Sequence, residues 1–209
     1  MPYRQLLVWA DRLRDISARG LCYSRDSHDR ENYRTIRDIA AEMLARGTDR
    51  SDSEIKSLCD ALLSRPTPLS YAEGAVIDDL GNILLVKRPD SGLWILPGGA
   101  LEVGETPAEG AAREVLEETG VVCRATGLAG VFNMDFDVAC HPGQMYVLTF
   151  LCQRTDTAVP TAPLHPGEVS DMGWFAEDAL PDRLYPKSIL HITEAFRVWR
   201  GEDRAFFDR

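Results

Sequence analysis

Apolar residues recur at helical spacing in three stretches at the start of the chain. The three sets are Leu6, Trp9, Leu13 and Ile16, then Tyr33, Ile36, Ala40 and Met43, and then Ile55, Leu58 and Leu62. Spacings of three and four residues place each set on one face of an amphipathic helix. Gly20 is a stop signal for the first helix, and Ser51 with Glu54 has capping-box spacing for the third. These residues predict a small three-helix domain.

From about residue 70 the pattern changes to short runs that are rich in β-branched and apolar residues. The runs read YAEGAVID, NILLVKR, LWILP, VVCRATGLAGVF, MYVLTFLCQR and DMGWFA, and a helical pattern follows at 187–200. Turn signals between the runs mark them as strands. The stretch Arg65-Pro66-Thr67-Pro68 cannot continue a helix. We therefore expect a helical domain at 1–65 and, at 70–205, an α/β domain with a mixed sheet and helices on its faces.

One strong helix interrupts the predicted strands. Thr106 can cap its start, Pro107 suits its first turn, and Glu109 completes a T-x-x-E capping box. Gly120 is the expected end of the helix. Since both ends are marked, the faces of this helix can be read from a projection at about 100 degrees per residue.

Three carboxylates, those of Glu114, Glu117 and Glu118, share one stripe of this helix, away from its apolar face. Like charges at this spacing destabilise a helix by a few tenths of a kcal/mol per pair. Hard divalent cations prefer carboxylate oxygens, and Mg²⁺ is usually shared with water and substrate phosphates. The stripe is either a solvated acidic face or a magnesium-phosphate site. In the second case, Gly110 on the same stripe would leave room for ions or phosphate.

The residues before the stripe favour the second interpretation. The segment 99–121, GALEVGETPAEGAAREVLEETGV, has a glycine, five residues, a glutamate, seven residues and then R-E-apolar-x-E-E-x-G-apolar. This segment resembles the Nudix box, and LLVKRPDSGLWILPGG resembles the strand and loop that lead into it. The resemblance implies a Nudix fold, an α/β/α sandwich. It also implies an enzyme that hydrolyses a diphosphate linked to another group, X.

The resemblance also implies roles for individual residues. The expected oxygen ligands of Mg²⁺ or Mn²⁺ are Glu114, Glu117, Glu118 and the backbone carbonyl of Gly98. Glu105 would interact with Arg113 and support the geometry of the helix. Metal ions in such a site neutralise the diphosphate and lower the pKa of a bound water for attack on phosphorus.

The catalytic base has more than one candidate. Glu114 is one, and the other is an acid on a later loop, where HPGEVSDMGWF resembles the family pattern E-V-S-E-x-x-W-F. On that loop we favour Glu168 over Asp171. Arg88 follows an apolar strand and is expected near the substrate phosphates. Surface or capping roles are expected for the four histidines, which are His28, His141, His165 and His191.

The N-terminal segment narrows the expected substrate. WADRLRDISARGLCYSRDSHDRENYRTIRDIAAEML resembles the N-terminal domain of bacterial Nudix hydrolases of X-linked nucleoside diphosphates. ADP-ribose and CDP-choline are then the leading substrates. The alternatives are a nucleoside triphosphate or RNA 5′-end pyrophosphohydrolase, and a non-catalytic nucleotide sensor. Trp9 and the exposed flank of the helical domain predict a homodimer.

Composition narrows the remaining classes of partner and location. The net charge of -10 argues against a nonspecific DNA or anionic-membrane surface. No apolar run approaches the roughly 20 residues of a membrane helix. The five cysteines show no CxxC or zinc-ligand spacing, which is typical of reduced thiols. We therefore expect a cytoplasmic protein whose partner is a small nucleotide, with neither DNA nor membrane as a partner.

Overall fold

The computed structural model describes residues 3–46, 51, 53–55, 57, 68–134, 144–155, 167–202 and 204–208. It contains two compact units, one of Met1–Thr67 with Glu102–Gly104 and one of Pro68–Leu101 with Glu105–Arg209. The first three residues of the predicted boundary, 65–67, lie outside the described residues. The division at 1–65 and 70–205 therefore stays a prediction.

The first unit contains two long helices, α1 at Tyr3–Tyr23 and α2 at Ser27–Arg46, which pack against each other. The predicted stop at Gly20 is wrong, because α1 continues through it. A methyl group at Gly20 would overlap the ring of Tyr33 on α2, so this glycine allows the two helices to approach.

The third predicted helix is described only in part. Residues 53–55 are helical, and Leu58 and Leu62 lie outside the described residues. The capping box at its start is present. The Ser51 N–H donates to the Glu54 carboxylate at 2.8 Å, and the Glu54 N–H donates to the Ser51 hydroxyl at 3.4 Å.

The described residues of the second unit form eight strands in two sheets. Their bounds are β1 Leu69–Val76, β2 Asn82–Lys87, β3 Trp94–Ile95, β4 Gly98–Ala100, β5 Cys123–Met134, β6 Met145–Arg154, β7 Asp171–Ala176 and β8 Phe206–Phe207. One sheet has the order β4-β1-β6-β5-β8, and the other has the order β3-β2-β7. β1 runs parallel to β6 and antiparallel to β4, so the larger sheet is mixed. All six predicted runs contain a strand. β4 and β8 were not predicted, since both lie outside the six apolar runs.

Two further helices, α3 at Pro107–Thr119 and α4 at Ser188–Trp199, contribute to different apolar clusters. Val115 of α3 packs with Val76 of β1, whereas Ile192 of α4 packs with Ala75. Consecutive strand residues point to opposite faces of a sheet. The helices therefore cover opposite faces, and the expected α/β/α sandwich with a mixed sheet is confirmed.

Candidate functional site

Both ends of α3 have the predicted caps. The Thr106 hydroxyl accepts the Glu109 N–H at 3.3 Å, and the Glu109 carboxylate accepts the Thr106 N–H at 2.8 Å. Gly120 ends the helix in the left-handed region, with φ of 70°. Such a φ is strained for a residue with a side chain. These caps fix the register of α3 and hence the direction of each glutamate.

Two of the three stripe carboxylates are buried against β4. Glu114 is 9% exposed and Glu118 is 3% exposed, whereas Glu117 is partly exposed. The Glu118 carboxylate accepts the backbone N–H of Gly98 at 3.0 Å. A methyl group at Gly99 would overlap the Glu114 carboxylate, so glycine makes this approach possible. Burial of two carboxylates excludes a solvated acidic face.

The peptide of Gly98 lies between α3 and β1. Its carbonyl accepts a hydrogen bond from the hydroxyl of Tyr71, a residue that the sequence did not single out. Burial, and then the negative charges of Glu118, Glu73 and Glu114, hold the pKa of Tyr71 well above its usual value. Tyr71 therefore remains a hydrogen-bond donor at neutral pH.

Arg113 is the centre of an ionic network on α3. Its guanidinium lies 2.8 Å from Glu105, 2.8 Å from Glu114 and 3.0 Å from Glu117. The hydrogen bonds to Glu105, ahead of those to Glu114, raise the pKa of Arg113. A single arginine thus positions three carboxylates, and its one positive charge does not balance their combined negative charge.

The buried acids are short of positive charge. Burial is the main cause that raises the pKa of Glu118 to about 8, although the Gly98 N–H opposes it. Burial also raises the pKa of Glu114, against the effect of Arg113. Carboxylates of this kind, together with the Gly98 carbonyl, form an oxygen donor set that fits a hard divalent cation.

The donors are not gathered around one point in this conformation. Within the described part of the chain, no group of three or more His, Cys, Asp or Glu residues is arranged to hold a metal ion. Arg113 donates hydrogen bonds to oxygens of Glu114 and Glu117, and the Gly98 N–H donates to an oxygen of Glu118. A bound cation would have to replace some of these hydrogen bonds.

The interpretation of Gly110 is wrong. A methyl group there would overlap Leu101 and lie 2.8 Å from the Glu105 carboxylate. The space at Gly110 is therefore filled by these two side chains, and none is left for ions or phosphate. The glycine lets Glu105 come close enough to α3 to pair with Arg113.

Arg88 lies near the acidic residues of α3, and its expected contact with substrate phosphates stays a prediction. It forms an ion pair with Asp90 at 2.9 Å, which lowers the pKa of Asp90 to about 2. Its positive charge also acts on Glu118 and Tyr71. Arg88 and Tyr71 line the same cavity, of about 220 Å³.

The two candidate acids beyond α3, Glu168 and Asp171, lie in different surroundings. Glu168 is exposed, and its charge contributes to the raised pKa of both Glu114 and Glu118, after burial and nearer groups. Asp171 lies at the start of β7, opposite Lys87 of β2. The structure thus brings Glu168 into electrostatic range of the acidic residues on α3.

The expectation of a surface or capping role for His191 is wrong. His191 lies on α4 and is 5% exposed, and its Nδ1 is 2.5 Å from Oε1 of Glu73 on β1. No short-range sequence signal could identify a pair 118 residues apart. His28 is exposed, and His141 and His165 lie outside the described residues.

Comparison with known families decides the identity of the fold. The family model of the NUDIX domain matches residues 71–196. The chain belongs to the Nudix family. A second model, the UDP-X-like N-terminal oligomerisation domain, matches residues 4–59 of this Nudix protein. Both resemblances noted in the sequence are thereby confirmed. The protein is an enzyme, a pyrophosphohydrolase of a family whose members generally use divalent metals.

Individual relatives support the same assignment. The chain is 35% identical over 181 residues to YjhB of Bacillus subtilis (strain 168), which carries the provisional name of ADP-ribose pyrophosphatase. That match covers 85% of this chain and 83% of YjhB. A MutT-like protein of Streptomyces ambofaciens is 31% identical over 122 residues, covering 58% of this chain and 73% of that protein.

Solved structures resemble the whole chain or its Nudix domain. A crystal structure of UDP-X diphosphatase superposes with a TM-score of 0.60 and 28% identity, and the match covers 100% of both chains. An ADP-ribose pyrophosphatase from Streptococcus suis matches with a TM-score of 0.56 and 26% identity. It covers 68% of this chain and 100% of that one. No described helix is long and apolar enough to cross a membrane.

Proposed function

We propose that this Nudix enzyme uses Mg²⁺ or Mn²⁺ to hydrolyse the diphosphate of a nucleoside diphosphate linked to X. The products are a nucleoside monophosphate and phosphorylated X. The observation that carries the proposal is the burial of Glu114 and Glu118 without matching positive charge, next to a cavity lined by Arg88 and Tyr71. A divalent cation supplies the missing charge, and a diphosphate supplies the remaining oxygens.

The oxygen donors proposed for the cation are Glu114, Glu117, Glu118 and the Gly98 carbonyl. When bound, the cation neutralises the diphosphate and lowers the pKa of water. Arg113 keeps Glu114 and Glu117 in position, and Glu105 in turn fixes Arg113 through two hydrogen bonds of 2.8 and 3.0 Å. Arg88 is proposed to bind a phosphate oxygen, for which its guanidinium would leave Asp90.

The reaction transfers one phosphoryl group of the diphosphate to water. The water oxygen forms a bond to phosphorus, and the bridging P–O bond breaks, so that its oxygen leaves with the other phosphate. We assign the acceptor of the water proton to Glu168 in preference to Glu114. Glu168 is exposed and acts electrostatically on both buried carboxylates, whereas Glu114 already accepts a hydrogen bond from Arg113.

The substrate class rests on the N-terminal domain and on the relatives. The names of YjhB and of the Streptococcus suis structure favour ADP-ribose, and UDP-X diphosphatase adds UDP-linked compounds. CDP-choline is the other candidate of the same class. All three share a diphosphate between a nucleoside and X, which is the group that the acidic site would bind.

Assembly and location complete the proposal. The match to an oligomerisation domain and the exposed apolar residues Trp9, Tyr23 and Ile39 on α1 and α2 support a homodimer. Free thiols at Cys22, Cys123 and Cys152 fit a reducing cytoplasm. Cys59 and Cys140 lie outside the described residues.

A substrate panel tests the proposed reaction. We would measure kcat/KM for ADP-ribose, CDP-choline, UDP-glucose and the common nucleoside triphosphates, with Mg²⁺ and with Mn²⁺. A linked diphosphate is expected to have the highest kcat/KM, because contacts to X improve alignment of the reacting phosphorus. A nucleoside triphosphate with a kcat/KM tenfold above that of every linked diphosphate, a difference of about 1.4 kcal/mol, would overturn the substrate class.

A further inference from the structure

A buried polar pair lies at the wall of the cavity near the acidic residues of α3. Glu73 is 6% exposed, His191 is 5% exposed, and both line the cavity. Oε1 of Glu73 accepts from Nδ1 of His191 at 2.5 Å and from the Thr149 hydroxyl at 2.6 Å. Neither residue of the pair belongs to the segment 99–121, and the hydrolysis described above does not use them.

Packing alone does not explain this pair. Burial of polar and charged groups costs free energy, and apolar residues of similar volume at such positions are often as stable or more stable. The neighbours Phe132, Val147 and Ile192 are buried and apolar. A position that only had to fill this core would be better filled by another apolar side chain.

The orientation of the His191 ring is fixed from two directions. Phe132 stacks on it, with ring centroids 3.9 Å apart and planes inclined by 24°. A carboxylate oxygen only accepts hydrogen bonds, so Nδ1 carries the proton and donates to Glu73. In the neutral ring, Nε2 then presents a lone pair.

Two acceptor atoms of the pair open into the cavity. Among the described residues, none hydrogen bonds to Nε2 of His191 or to Oε2 of Glu73. In the same part of the chain, no fully buried side-chain nitrogen or oxygen lacks a partner. The two atoms are therefore not sealed in the core, and they face the space that their residues line.

The cavity has room for a single ring. Its volume of about 220 Å³ lies below the roughly 300–1,000 Å³ of pockets that hold a drug-sized ligand. Leu93, Ile95 and Met145 form apolar walls, and Arg88 lies at the same cavity. A ring with apolar faces and a polar edge, attached to a phosphate, fits this arrangement.

We propose that Glu73 and His191 bind two hydroxyl groups of a sugar ring in the substrate, an inference that rests on the proposed function. Two acceptors require two donors, and each hydroxyl of a sugar ring can rotate to donate. Adenine, cytosine and uracil place an acceptor beside each Watson–Crick donor, which would face an acceptor of the protein. Guanine, with neighbouring N1–H and N2–H₂ donors, is the exception and is an arm of the test.

Three substitutions test the contributions of Glu73 and His191 separately. Glu73→Gln keeps the size of the side chain and removes its charge. His191→Asn keeps a donor near Glu73 and removes the acceptor at Nε2, whereas His191→Gln places an amide near Nε2. Glu31→Gln and His28→Asn make the same changes at exposed positions of α2 and serve as controls. Thermal unfolding of each variant identifies any that fails to fold, and His191→Gln then carries the test.

We would measure kcat/KM for ADP-ribose, its 2′-deoxyadenosine analogue, a GDP-sugar and CDP-choline. Loss of a hydrogen bond to a charged or buried group is expected to lower kcat/KM about ten- to a hundredfold for sugar-linked substrates. A loss that spares CDP-choline places the sugar of X in the cavity. A loss shared by CDP-choline but absent for the 2′-deoxy analogue places the nucleoside ribose there. Both results support the proposal.

Two results would overturn the proposal. One is a kcat/KM within twofold of wild type for every substrate in His191→Asn and Glu73→Gln. The other is a loss confined to the GDP-sugar, which would assign the pair to guanine.

A binding measurement separates this proposal from the proposed reaction. Calorimetric titration with the non-hydrolysable α,β-methylene analogue of ADP-ribose and Mg²⁺ does not require turnover. Weaker binding in His191→Asn than in His28→Asn supports the sugar contact even if the enzyme prefers another bond. Equal affinities in the two variants would rule it out. Failure of wild type to hydrolyse any linked diphosphate would refute the proposed function alone.

Discussion

The Glu118 carboxylate accepts a hydrogen bond from the backbone N–H of Gly98 at 3.0 Å. This contact joins the C-terminal end of the acidic stripe to the short strand β4. It also orients the deepest carboxylate of the site before any cation arrives. The Glu118 side chain is therefore held beside the other acids of α3, and its replacement should have a large effect.

Substitution of Glu118 tests the metal site. Glu118→Gln is expected to lower kcat by about a hundredfold or more and to weaken Mg²⁺ binding, because an amide lacks the negative charge that the cation requires. Steady-state rates across a Mg²⁺ titration measure both effects. Glu177→Gln removes a carboxylate from an exposed ion pair and should keep the wild-type rate. Near-wild-type turnover in Glu118→Gln would remove this residue from the site.

Substitution of Glu168 tests the proposed base. Glu168→Gln is expected to lower kcat by about a hundredfold while the Mg²⁺ dependence stays close to wild type, because the residue would accept a proton without binding the cation. Asp171→Asn on the same segment is the matched control and should retain activity. An unchanged rate in Glu168→Gln, together with a large loss in Glu114→Gln, would move the base to α3.

Substitution of Gly99 tests whether the Glu114 carboxylate must lie close to β4. Gly99→Ala is expected to displace Glu114 and lower kcat/KM by about tenfold or more, because the new methyl group would overlap its carboxylate. Gly127→Ala, where a methyl would meet Val198 at an ordinary 3.4 Å, is the control. Equal activities in the two variants would show that Glu114 can act from another position.

The metal-free protein should lose stability as the pH rises. The pKa of Glu118 is about 8 in the folded protein and 4.5 in a free side chain, so between these values only the folded state keeps its proton. The free energy of unfolding should therefore fall from about pH 4.5 to about pH 8, by up to about 1.4 kcal/mol per pH unit from this group.

Urea unfolding in EDTA at pH 5.5, 6.5 and 7.5 measures this dependence. Glu118→Gln should show a shallower slope, since its amide does not titrate. An equal slope in wild type and variant would mean that other groups govern the pH dependence.

Light scattering tests the homodimer. At micromolar concentration the mass should be twice the 23.3 kDa of one chain. Trp9→Glu on α1 should lower the apparent association if this exposed indole lies in the interface, because a carboxylate there would be buried without a partner. Tyr146→Glu, at an exposed position of β6 in the other unit, is the control. A wild-type mass of 23.3 kDa would refute the dimer.

The sequence predicted the elements well where local rules are strong. The caps of α3 follow from Thr106, Glu109 and Gly120, and the strands follow from runs long enough to show their pattern. The projection of α3 correctly separated its acidic and apolar faces. It could not show that β4 covers Glu114 and Glu118, since a projection gives directions and not neighbours.

The missed residues depend on contacts between distant segments. Tyr71 reaches Gly98 across 27 residues, and Glu73 meets His191 across 118. Their partners are set by strand register and by the packing of α4, which local spacing does not encode. Gly110 was misinterpreted for the same reason, because Leu101 and Glu105 occupy its space only after the chain folds.

Gly98 has a further consequence because both of its backbone polar groups are held. Its N–H donates to Glu118 and its carbonyl accepts from Tyr71, which also forms part of the cavity wall. A cation that draws either Glu118 or the carbonyl away must rearrange the backbone of this one residue. Cation binding at the acidic residues and the shape of the neighbouring cavity are thus coupled. The affinity for the nucleotide should therefore depend on whether the cation has already bound.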